Sequence, residues 1–167
     1  ETFKFSAILM LPAALLGIPP KIFAILAPIH LFMQFWYHTR LIDKMGVLES
    51  IIVTPSHHRV HHARNPKYLD ANYAGTLMIW DRMFGTFVPE DPNEPCDYGL
   101  VVPMTTLNPL TILFQEYANI FKDIFKPGIT LRDRFMYLFG PPGWSHDGSR
   151  KMSTDIKRDY YQIIKNN

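Results

Sequence analysis

The stretch "TPSHHRVHHARNP", Thr54 to Pro66, puts four of the chain's seven histidines within six residues. Thr54 suits a helix cap, and Pro55 suits the first helical position, where its missing N–H costs nothing. Pro66 disfavours helical geometry at Asn65 and marks a stop. The stretch predicts about three turns of helix at 3.6 residues per turn. Successive residues rotate by about 100 degrees, so His57, His58, His61 and His62 are expected along one side, with Arg59 pointing away. His57/His61 and His58/His62 are i, i+4 pairs, the spacing at which two ring nitrogens can bind one metal.

In a purely structural role these four rings would crowd partial positive charge together, whereas a divalent metal binds neutral imidazoles and removes the repulsion. A surface patch with adventitious metal affinity is the alternative. All-nitrogen ligation suits zinc, iron, copper or nickel alike. The flanking acids are Glu49, upstream of His57, and Asp70, downstream of His62. Neither stands where an HExxH metalloprotease needs its glutamate, which argues against that chemistry.

Upstream, Phe5 to Pro20 and Ile22 to Tyr37 carry no charge, and Lys21 alone separates them. A spanning helix needs roughly 20 apolar residues. Two membrane helices, or one tight hairpin turning at "GIPPK", are expected. Pro12 and Pro28 are tolerated in such helices, and Trp36 and Tyr37 fall where an aromatic belt would sit. A buried hairpin in a soluble protein is the other reading of the same runs. Arg40, Lys44, Arg59, Arg64 and Lys67 follow the second run, which by the positive-inside bias places the histidine segment on the cytoplasmic side.

His30, Gln34 and His38 form one stripe of the second run at i, i+4 and i+8. An ionisable group at a membrane edge points to function, and His38 is taken as a metal ligand. His30 is either a ligand or a packed, hydrogen-bonded residue. Gln34 either supports a ligating imidazole or bonds between helices.

Downstream, "NYAGTLMIWDRMFGTF" predicts a helix from about Ala74 to Met83, ending near Gly85. Within it Asp81 is a partner for Arg82 or Arg64, or accepts from a ligating imidazole. "VPEDPNEPCD" reads as a loop. An amphipathic helix begins near Asn108-Pro109, Thr130 and Asp133 form a capping-box-like pair over "LRDRFMYLF", and the tail from Ser145 holds a peripheral helix.

At 167 residues one domain is expected. The formal charge of +2 offers no basic face for nucleic acid, and the single cysteine, Cys96, allows no intrachain disulfide.

"QFWYHT", "HRVHH" as an HxxHH motif, and "NYAGTLMIWDRMFGTF" together resemble the fatty acid hydroxylase and sterol desaturase superfamily, over about Phe32 to Phe87. "GPPGW" near residue 141 is similar to the same group. The resemblance implies an all-α, integral-membrane helical bundle with cytoplasmic histidine-bearing helices, housed in the endoplasmic reticulum membrane. It implies a single partial domain over 1–167, with membrane helices at 3–39, a metal-binding core at 54–87, and cytoplasmic helices and tail at 105–167.

It also implies a di-iron monooxygenase, with His58, His61, His62 and His38 as iron ligands and His57 as the extra histidine of the ether-cleaving branch. In that branch tetrahydrobiopterin supplies electrons and O2 hydroxylates the ether-bearing carbon of a membrane alkylglycerol lipid. The hemiacetal then collapses to an aldehyde and a free glycerol hydroxyl. A sterol or fatty-acyl hydroxylase or desaturase, and a non-catalytic membrane metal-binding module, are the alternatives. The superfamily needs two further motifs, HxxxH and HxxHH, upstream, yet no histidine precedes His30. The chain is expected to be the C-terminal portion, needing the N-terminal part of the same domain as its partner and inactive alone.

Overall fold

The computed structural model describes residues 11–101 and 104–166. Its elements are α1 (Leu11–Leu15), α2 (Pro20–Trp36), α3 (Pro55–His61), α4 (Ile79–Phe84), α5 (Pro109–Ile124), α6 (Leu131–Phe139) and α7 (Ser153–Asn166). Short 3-10 turns cover Gly46–Ser50 and Pro66–Tyr68. Among the described residues there is no strand, only isolated bridges such as Ile52 with Leu77 and Ala63 with Tyr98. The all-α expectation is met. The start of the first apolar run lies outside the described residues.

The chain divides into two compact units, the first made of residues 1–59 and 72–87. Its α2 has 17 residues, about 25 Å at 1.5 Å per residue, against the ~30 Å of a bilayer's hydrocarbon. No helix among the described residues is long and apolar enough to cross a membrane. Tyr37 was expected in an interfacial belt but is 1% exposed, in a core with Val53 and Met78. The cause is its hydroxyl, which donates to the Gly75 carbonyl at 2.6 Å and turns the ring inward.

The segment after Asn72 departs from the expected helix over Ala74 to Met83. Val53 N donates to Thr76 O and Met78 N to Ile51 O, so residues up to Met78 are tied into cross-chain pairing and α4 begins only at Ile79. Its end is as expected, with Gly85 at φ +71, a left-handed cap that glycine adopts without strain.

The second unit holds residues 60–71 and 88–167. Val60, Ala63, Tyr68 and Ala71 form its core, with Val88 and Cys96 packed against them. Tyr68 donates to Glu94 O at 2.8 Å and accepts from Asp91 N at 3.0 Å, which pins the proline-rich loop. Lys67 meets Asp91 at 2.5 Å, and Tyr160 of α7 donates to Glu94 at 2.8 Å. Asn108 caps α5 by accepting from Leu110 N and Thr111 N. Thr130 and Asp133 complete a reciprocal capping box on α6.

α3 is seven residues, shorter than the three turns expected up to Pro66. Beyond it Arg64 N donates to Asp97 O at 2.7 Å, and Asn65 Oδ1 accepts from Asp97 N at 2.7 Å. Backbone groups committed to that loop cannot also continue a helix.

Candidate metal centre

Thr54 opens α3 as a cap residue does, its carbonyl accepting from His58 N at 3.0 Å. The hydroxyl does something else. It donates to Glu49 Oε1 at 3.2 Å, and the same oxygen accepts from Met45 N at 3.1 Å. Arg59 points away from the histidines, as expected, and donates to the carbonyls of Thr39 and Ile42. These contacts seat α3 beside the end of α2.

His38 and His58 meet there. Their Nε2 atoms are 2.8 Å apart. His38 Nδ1 lies against the Gln34 carbonyl, which makes Nδ1 the protonated nitrogen and leaves Nε2 with its lone pair. The Tyr37 ring backs the pair, 4.5 Å from that of His58. At that spacing a neutral His58 can donate its Nε2–H to the His38 lone pair, or both Nε2 lone pairs can face one cation. Nitrogens bound side by side to one ion at about 2.0–2.1 Å stand roughly 3 Å apart, so this pair fits a transition metal. His62 follows four residues after His58 in the sequence and is the next candidate ligand. His38 and His62 are exposed and His58 half-buried.

His57 and His61 have other neighbours. His61 is exposed and edge-on to His62 at 5.0 Å. His57 is 2% exposed, edge-on to Phe87 at 5.4 Å, with Nε2 4.0 Å from Glu49 Oε2. Its Nδ1 makes no hydrogen bond among the described residues. Burial pushes the His57 imidazole below its usual range, and the Glu49 carboxylate opposes that shift. The single face expected from helical spacing is therefore divided: His57 turns into the core, while His58 turns to His38.

His30 is hydrogen-bonded at both ring nitrogens, to Thr76 Oγ1 at 3.3 Å and Gln34 Nε2 at 3.1 Å, the second of its two readings. Gln34 thus touches both histidines of the stripe, one by side chain and one by carbonyl. None of the three carboxylate contacts the structure shows for Asp81 is to an imidazole N–H. Its buried oxygens accept from Tyr73 N at 2.8 Å, Ala74 N at 2.9 Å and Thr86 Oγ1 at 2.6 Å, bracing the loop before α4. Asn72, at φ +53, is a turn residue, and its amide donates to His57 O at 3.1 Å.

Glu49 stood in the sequence only as a flanking acid out of place for HExxH chemistry, and Gly75 was not singled out. Glu49 is too far along the chain from His57 for a spacing rule to pair them. Gly75 matters by contact alone, since a Cβ there would come within 2.5 Å of the His30 ring.

Helices that carry clustered histidines beside an apolar helix define a class, and the chain belongs to it: the fatty acid hydroxylase family, whose pattern matches residues 1–86. More particularly, the chain is similar to the alkylglycerol monooxygenases of Xenopus tropicalis, 49% identical over 76% of this chain, and of Homo sapiens, 45% over 77%. It spans 28% of each of those proteins. An ornithine lipid hydroxylase of Rhizobium tropici is 33% identical over 60% of this chain and 30% of its own length. No solved structure matches.

Proposed function

We propose that the whole protein is a membrane di-iron monooxygenase that uses tetrahydrobiopterin and O2 to cleave the ether bond of alkylglycerol lipids. The observation that carries this reading is the approach of His38 to His58. The relatives with the highest identity quoted above bear the matching name. Iron, when bound, supplies the oxidising chemistry at the ether-bearing carbon.

This chain's residues hold and orient. His38, His58 and His62 would ligate directly, and His61 would join them once the rest of the iron shell is present. The Gln34 carbonyl fixes the His38 tautomer, and the Tyr37 ring packs tilted against that of His58. The ligands that complete the centre would come from sequence beyond this chain, so residues 1–167 alone are expected to be inactive. The reading carries a location with it: the endoplasmic reticulum membrane, with the histidines at its cytoplasmic face and the substrate entering from the bilayer.

The test uses the full-length protein in membranes. His58→Ala should abolish iron binding and ether-lipid turnover, whereas His146→Ala, in the tail, should leave both intact. Turnover supported by a cytochrome donor but not by tetrahydrobiopterin would move the reading to a sterol or fatty-acyl hydroxylase.

A further inference from the structure

Residues 73–86 of the first unit enclose an open cleft of about 520 Å³, within the ~300–1,000 Å³ range of small-molecule sites. Tyr73, Trp80 and Phe84 supply aromatic walls, and Ala74 and Gly75 are the small residues of the lining. The polar residues of the lining, Asp81 and Thr86, are bonded to each other at 2.6 Å, and Asp81 is also held by the Tyr73 and Ala74 amides. Their polar atoms are committed to the fold, so the cleft suits an apolar guest.

One lining residue, Gly75, is tied to the residue that backs the histidines. The Gly75 carbonyl accepts the Tyr37 hydroxyl at 2.6 Å, and the Tyr37 ring lies 4.5 Å from that of His58. A single residue separates the cleft wall from the candidate metal ligands. Gly75 is also required there, because the His30 ring occupies the space a Cβ would need. Trp80 and Phe84 are 51% and 72% exposed, an unfavourable display of apolar surface that a hydrocarbon guest would cover.

We propose that this cleft seats the alkyl chain of the lipid substrate beside the histidine centre. The proposal rests on the reading of the whole protein as an ether-lipid monooxygenase, and it makes Trp80 and Phe84 determinants of chain-length preference.

Full-length protein in nanodiscs is titrated with alkylglycerols brominated along the chain, and tryptophan fluorescence is followed. Saturable quenching that Trp80→Phe removes in large part supports the site. Equal quenching by brominated phosphatidylcholine, or quenching unchanged in Trp80→Phe, overturns it, because the aromatic walls would then face bulk lipid or another part of the protein. In turnover, Phe84→Ala should raise KM for long-chain alkylglycerols roughly tenfold and leave kcat and the short-chain KM within about twofold. A KM insensitive to chain length in both wild type and variant also overturns the proposal. Saturable, Trp80-dependent quenching without ether cleavage would retain the cleft as a lipid-chain site and reject the monooxygenase reading instead. Both side chains are more than half exposed, so their loss leaves the core intact.

Discussion

Glu49 joins three points of the first unit: the amide of Met45, the buried hydroxyl of Thr54 and the ring of His57. Removing it strands a hydroxyl that is fully buried. Glu49→Ala should cost about 1–3 kcal/mol in chemical denaturation, and Glu49→Gln, which keeps an acceptor oxygen, under about 1 kcal/mol. Equal losses in the two variants would show that the hydrogen bonds are not what Glu49 contributes. Asp81 is the stronger brace, a 2% exposed carboxylate taking three donors. Asp81→Ala leaves two amides and a hydroxyl without that acceptor, and a loss of about 3 kcal/mol or more is expected by the same measurement. His38 and the histidine helix were legible in the sequence because their chemistry is carried by residue type and local spacing. The roles of Glu49, Asp81 and Gly75 were not, because each depends on a partner that only folding brings close.

The elements divide in the same way. The caps of α5 and α6 were readable, since a cap involves residues two or three apart: Asn108 with Leu110 and Thr111, Thr130 with Asp133. Asn108→Ala should lower the helical stability of α5 by about 1 kcal/mol, seen as faster amide exchange in its first turn. Asp133 is held below the usual carboxylate range chiefly by hydrogen bonds from Thr130. Its folded-state value is depressed, so the stabilisation is complete above the ordinary value of 3.8 and fades as pH falls through the lowered one. Fraying of α6 should therefore increase on acidification below about pH 4, and Thr130→Ala should flatten that dependence. The limits of α3 and α4 were not readable. Seven residues are too few for a helix to be stable alone, so its bounds follow its surroundings. The backbone groups that could have lengthened α4 upstream are engaged elsewhere: Met78 N donates to Ile51 O, Thr76 O accepts from Val53 N and Asn72 N donates to Thr86 O.

For the molecule as a whole, family membership follows from the match over residues 1–86, and the similarity to lipid-modifying oxygenases accords with the histidine set. The chain spans 28% of the alkylglycerol monooxygenases it resembles. The apolar front half pointed to membrane helices in the sequence, yet the described part of it forms a 17-residue helix ending at the buried Tyr37. Hydropathy registers how apolar a run is; it does not encode that the Tyr37 hydroxyl finds the Gly75 carbonyl. The central claim is that His38, His58 and His62 belong to one iron centre. Its most direct test is the metal content of full-length protein purified from membranes, wild type beside His38→Ala, His58→Ala and His62→Ala, with ether-lipid turnover measured on the same samples. The account predicts two irons per chain in the wild type and loss of both iron and turnover in each variant. Full activity with stoichiometric zinc, or undiminished iron in His58→Ala, would contradict it.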